Sequence, residues 1–355
     1  MGPTTDNNLL HFVGSIPLQD AEKVFTKLSS TVGPYASRLP DGETAERSRW
    51  IFFQREILAA YPAVEIDPTV PEFELRQWDG KVIRSIPLLR FKAGTDLDSL
   101  QFETGYDKAA EYSYGIFQRL QDDGLVSGGT RFQVSLPTPM ATGYFYVSHK
   151  ARDEYVEVYE RSLLRALRSI LDLVPADNLA IQFDVCQEVL VFEDYFEHRP
   201  ADYKTQIFEM LGRLGDAVPE GVELGYHLCY GTPAEEHLVM PTDASVLVEL
   251  LNGITSNVQR PVNYIHLPVP KHCTEDDFFL PFRNYHGPDS TRIYVGLIHH
   301  DDVEGDRKRI DTAARYIRNM GVATECGWGR ANPDTVDSLL ESHRLAAEAL
   351  AERKG

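Results

Sequence analysis

The 355-residue chain is long enough for two domains of about 150 residues each, or for one large α/β barrel with an insertion. Its composition, 43% hydrophobic and 25% charged, supports a sizeable core, and 54 acidic against 35 basic residues leave a net charge of −19. So acidic a chain repels phosphate backbones and anionic lipid surfaces, and no Lys/Arg-rich block counters this, so neither nucleic acid nor a membrane is an expected partner. No apolar run approaches the roughly 18 residues of a membrane span. The polar stretch from Met1 to Leu10 lacks the pattern of a secretory signal. Four cysteines are too sparse for a disulfide framework, and a reduced, cytoplasmic protein is expected.

In chain order, short apolar runs predict strands over 11–15, 36–41, 131–136, 179–184, 222–229, 262–266, 292–299 and 322–326. Between them, amphipathic spacing predicts helices over 20–30, 44–60, 106–123, 152–173, 203–214, 243–255, 306–320 and 333–353. Asn332-Pro333 opens the last helix, and Gly321 stands where the preceding one should stop. Eight strands alternating with helices is the count of a (β/α)8 TIM barrel, here a single domain over 1–355. About ninety residues separate the second and third strands, far more than a βα unit needs, so 62–100 is read as an inserted hairpin or lid. No Gly/Ser-rich or Pro-rich linker divides the chain.

In such a barrel the reactive side chains project from the C-terminal ends of the strands. The predicted ends are rich in polar and metal-capable residues: Ser15, Glu43, Asp184, His227 with Cys229, His266, His299 and Cys326. His227-Leu228-Cys229 is the sharpest, because residues i and i+2 of a strand face the same side. Imidazole and thiolate together suit zinc, and Cys326 on the last strand is the natural partner. Buried small hydrophobes and a core histidine are the plainer reading of the same residues. Glu325, by strand alternation, should point away into the helix layer.

The motifs in order carry a family resemblance. Phe12-Val-Gly-Ser-Ile-Pro17, Pro40-Asp-Gly-Glu43, Leu136-Pro-Thr-Pro-Met-Ala-Thr142, Ile181-Gln-Phe-Asp184, Tyr226-His-Leu-Cys-Tyr230 and Glu325-Cys-Gly327 span nearly the whole chain. Together they resemble the catalytic barrel of cobalamin-independent methionine synthases, within the wider group that includes uroporphyrinogen decarboxylase-like barrels. The resemblance implies zinc held by His227, Cys229 and Cys326. It implies Ser15, Glu43 and Asp184 as contacts to an amino-acid-like substrate. Where the family carries a ligating Glu, this sequence has His266, read either as a ligand or as a substrate-facing acid/base group. Asp184 is followed by Val185-Cys186 in place of Glu-Pro, and no counterpart of the family's folate-contacting Trp segment lies between Glu72 and Gly129. Specificity for folate and homocysteine is therefore not expected.

Further candidates are His299, favoured over His300 as a general acid/base; Arg330, as a clamp for a carboxylate or phosphate; and Tyr144, as a pocket wall. The predicted function is a zinc-dependent transferase that activates a thiol for methyl or alkyl transfer, with Glu43, Asp184 and His299 in catalytic roles. Its partner is a small molecule, thiol or amino-acid-like, and homo-oligomerisation stays open. One alternative uses the same metal as a Lewis acid in a lyase or hydrolase. A second is a metal-free, decarboxylase-like barrel or small-molecule binder.

Overall fold

The computed structural model describes residues 8–233 and 236–354. Among these residues eleven strands arise in chain order: β1 Arg38–Pro40, β2 Val64–Ile66, β3 Phe73–Arg76, β4 Val82–Ile86, β5 Leu89–Phe91, β6 Arg131–Pro137, β7 Leu179–Val185, β8 Glu223–Leu228, β9 Tyr264–Pro268, β10 Arg292–Ile298 and β11 Met320–Thr324. Seven of them form one all-parallel sheet in the order β1-β6-β7-β8-β9-β10-β11. Parallel neighbours need crossovers, and helices supply these: α1 Ala21–Val32, α2 Phe52–Ala59, α3 Tyr106–Asp122, α4 Pro139–Tyr146, α5 Arg152–Leu173, α6 Gln187–Phe192, α7 Tyr203–Asp216, α8 Ser245–Asn257, α9 Asp276–Phe279, α10 Val303–Ala313 and α11 Val336–Lys354. β7 is buried at every residue, as a strand covered on both faces must be. Among the described residues no helix is long and apolar enough to cross a membrane.

The strand predicted at 11–15 is not a regular ladder. Leu10 alone bridges Ala36 on one side and Val322 on the other, at the two outer edges of the sheet. Beyond His11 the backbone bonds to loops instead of strands: Ile16 N–H donates to Gly42 O at 2.8 Å, and Trp328 N–H to Ser15 O at 2.8 Å. At the end of the sheet opposite the strand C-termini, the interior is filled by Arg38. Its guanidinium lies 3.7 Å from the centre of the Tyr264 ring and pairs with Glu223 at 3.0 Å.

Several boundaries differ from expectation, with consequences at the site. The helix predicted over 44–60 is broken into a 3₁₀ turn, Ala45–Arg49, and α2, because Trp50 adopts φ 52° between them. Gly321 lies inside β11 and does not end a helix; α10 stops at Ala313. β9 runs on to Pro268, so His266 is mid-strand. β11 ends at Thr324, so Glu325 and Cys326 lie beyond the strand and no longer follow its alternation. Residues 62–100 hold two nested antiparallel pairs, β2 with β5 and β3 with β4. The inner hairpin packs Phe73 against Phe145 with ring centres 5.9 Å apart, and Trp78 N–H donates to His237 O at 3.3 Å.

Candidate metal and substrate site

Asp184, His227 and His266 occupy paired positions on β7, β8 and β9. Paired residues of parallel strands point to the same face, so the three side chains form one row across the sheet interior. Cys229 follows directly after β8, and Cys326 reaches the same place from the segment after β11. The Cys229 and Cys326 sulfurs are 3.6 Å apart, and Cys326 Sγ lies 3.7 Å from His227 Nε2. Tetrahedral zinc, with bonds of about 2.3 Å to sulfur and 2.0 Å to nitrogen, has edges of about 3.8 Å between sulfurs and 3.5 Å from sulfur to nitrogen. The donor set fits such an ion, and all three ligand atoms lie within 4.8 Å of one another.

Electrostatics at the cluster favours one thiolate. The hydrogen bond from Cys229, with His227 adding to it, holds the Cys326 thiol well below its ordinary pKa. Cys229 is pushed up by the sulfurs of Cys186 and Cys326 and by burial. Gly231 N–H donates to Cys229 Sγ at 3.2 Å, a bond that also suits a thiolate.

The cluster forms one wall of a cavity with about 660 Å³ of empty space, part of it open to solvent. Ser15, Glu43, Asp184 and Arg330 also line it. Asp184 accepts from Trp50 Nε1 and from Gln182 Nε2, each at 2.9 Å, yet burial still lifts its pKa to about 6. Glu43 lies well above the carboxylate range, through burial and then the charge of Asp184. Ser15 Oγ accepts from Gly329 N–H at 3.2 Å, tying the first loop to the last. Arg330 donates through Nη2 to Thr232 Oγ1 at 2.9 Å, while its buried Nε has no partner among the described residues.

Other predicted residues are placed elsewhere. His266 is outside the three-residue group: its Nδ1 faces His227 Nδ1 at 2.7 Å and its Nε2 faces Thr324 O at 2.9 Å. His299 does not line the cavity. Its Nε2 meets Val269 O at 3.0 Å, and burial lowers its pKa to about 4. Tyr144 is turned into the helix layer, 3.8 Å under the Arg152 guanidinium and edge-on to Phe196, and the neighbouring Phe145 lines the cavity instead. Glu325 does not enter the helix layer; its carboxylate lies 3.1 Å from His237 Nε2 and 3.6 Å from His299 Nδ1.

The sequence reading missed the apolar wall of Trp50, Phe52, Phe145 and Leu238. Trp50, set apart by its positive φ, reaches the cavity because the helix breaks there. Arg84 lies 5.4 Å over the Phe52 ring, so the inserted hairpin borders this wall.

No protein-family model matches the chain, and no curated protein matches it by sequence. Its structure is similar to that of a B12-independent methionine synthase from Shewanella sp. W3-18-1 in complex with selenomethionine. The TM-score is 0.60 at 14% identity, covering 93% of this chain and 85% of that one. It is also similar to a methyltransferase from Methanosarcina mazei, with a TM-score of 0.54 at 11% identity, covering 94% and 85%. At such identities the likeness establishes a shared fold.

Proposed function

We propose that the chain is a zinc-dependent transferase, on a single (β/α)8 barrel closed by the segment around Leu10, that activates a thiol for methyl or alkyl transfer. The observation that carries this reading is the approach of two sulfurs and one imidazole nitrogen to the edge lengths of a tetrahedral ion. Zinc bound there would lower the pKa of an arriving thiol and keep it as thiolate.

The chain's own residues orient the substrate. Asp184 and Glu43 offer carboxylates for an ammonium group, and the free Nε–H of Arg330 offers a donor for a carboxylate. Trp50, Phe52, Phe145 and Leu238 exclude water and suit an apolar electrophile. The selenomethionine held by the Shewanella protein accords with an amino-acid-like substrate. Folate and homocysteine specificity is not part of the proposal, because the motifs that depart from the family's include the segment after Asp184. A cytoplasmic setting accompanies this reading. A second reading, zinc as Lewis acid in a lyase or hydrolase, is favoured by one observation: among the described residues the cluster supplies three donors, His227, Cys229 and Cys326, since His266 is engaged elsewhere.

Elemental analysis of the purified chain tests the proposal. One zinc per chain is expected, and X-ray absorption should gain a sulfur neighbour when a substrate thiol is added. Absence of stoichiometric metal sinks both readings. A coordination sphere unchanged across a panel of thiols sinks the first and leaves the Lewis-acid reading.

A further inference from the structure

His266 stands on the strand position where the resemblance puts a ligating carboxylate, yet both of its ring nitrogens are engaged away from the sulfurs. A carbonyl oxygen only accepts, so Nε2, 2.9 Å from Thr324 O, carries hydrogen. The residue is fully buried, and no carboxylate among the described residues pairs with it, so a second proton would be an uncompensated interior charge. A neutral ring with hydrogen on Nε2 has a bare Nδ1. The 2.7 Å contact to His227 Nδ1 then draws its hydrogen from His227. His227 is left with Nε2, the nitrogen that faces Cys326 Sγ at 3.7 Å, as the one nitrogen available to a metal.

Space for this arrangement is built into β10. Its pairing with β11 is irregular from Gly296 to Ile298, and a Cβ at Gly296 would come within 2.8 Å of His266 Nε2 and 2.7 Å of Thr324 O. Only a residue without a side chain leaves the His266 to Thr324 bond intact there.

We propose that His266 is a positioning residue. By donating to Thr324 and accepting from His227, it locks His227 in the tautomer that presents Nε2 to Cys229 and Cys326. Second partners of this kind set both the orientation and the basicity of a metal-binding imidazole. His266 does not itself ligate, so a fourth position stays free for substrate. This inference rests on the reading of His227, Cys229 and Cys326 as a metal group.

The first test needs no metal. In the ¹⁵N-labelled, metal-free chain, long-range proton–nitrogen correlation should show hydrogen on Nδ1 of His227 and on Nε2 of His266, with Nδ1 of His266 bare. Hydrogen on Nδ1 of His266, or none on Nδ1 of His227, would overturn the proposal whatever the chain binds. The second test is zinc affinity, by chelator competition, in two variants. Gln spans the same two contacts, with an oxygen that accepts and an amide that donates, whereas Leu makes neither. His266→Leu should bind zinc about ten- to a hundredfold more weakly, and His266→Gln should stay within about threefold of the parent. Equal, large losses in both variants would make His266 a ligand, and equal retention would make it a bystander; either result overturns the proposal. Should His266→Leu fail to fold, the Gln variant and the tautomer still decide. A parent chain that binds no zinc would remove the proposed function, while the tautomer measurement stands or falls separately.

Discussion

His343 on α11 ties the last helix to the loop that carries Cys326, and its environment makes the fold sensitive to acid. Its ring is fully buried and lies between Phe12, with ring centres 5.0 Å apart, and Trp328, at 5.7 Å. Nδ1 donates to Leu339 O at 2.7 Å, so the neutral ring carries its hydrogen there, and buried Nε2 has no partner among the described residues. Burial therefore lowers the pKa to about 4. The unfolded chain takes up this proton near pH 6.5, and the folded chain resists it. The stabilisation is complete above pH 6.5 and is lost as pH falls toward 4. A separation of about 2.5 pKa units corresponds to about 3 kcal/mol, of which about 2.5 kcal/mol is gone by pH 4.5. His343→Phe keeps the stacking and removes the titration. Other buried groups contribute equally to both proteins, so the difference between them isolates His343. In urea unfolding, parent and variant should agree within about 1 kcal/mol at pH 7.5. Between pH 7.5 and 4.5 the parent should lose about 2.5 kcal/mol more than the variant. Parallel pH profiles would refute the argument.

Asp184 titrates in the opposite sense: its folded pKa, about 6, is above the ordinary value, so stability is full below about pH 4 and declines as pH rises through 6. Between pH 4 and 7 the parent should lose on the order of 2 kcal/mol relative to Asp184→Asn, and matching urea midpoints at both pH values would contradict this. Gly225→Ala would set a Cβ 2.1 to 2.4 Å from the Tyr264 ring, which cannot swing aside because Arg38 lies on it. A loss of about 1–3 kcal/mol is expected, read as a lower urea midpoint. Trp78→Ala removes the hairpin's indole bond to Glu236 and should speed amide exchange at Leu238 with little change in global stability. Unchanged exchange would mean that the hairpin does not brace the cavity loop.

What the sequence discloses here follows from the regularity of parallel strands. Period-two alternation brings His227 and Cys229 to one side, and adjacency in the sheet brings Asp184 beside His227, so a reader of the sequence finds the row before seeing it. The same rule fails where the ladder stops. β11 ends before Glu325, so parity no longer governs that side chain, which meets His237 and His299 instead of the helix layer. β9 continues past His266, so a residue predicted at a strand end sits a step deeper, where its ring serves His227. The apolar wall had no periodic signal. Trp50 depends on a positive φ that only the folded backbone reveals, and Leu238 belongs to a loop held in part by the inserted hairpin.

The division has a functional logic. The groups that would hold an ion come from β8 and from the residues just after β8 and β11, where the hydrogen-bonded sheet anchors them. The groups that would select a substrate come from a helix break, an insertion and a loop, where side chains can change without disturbing the sheet. Chemistry on this fold should therefore persist under substitutions at Trp50, Phe52 and Leu238 that redirect specificity, whereas change in the row from Asp184 to His266 alters what the site can do at all.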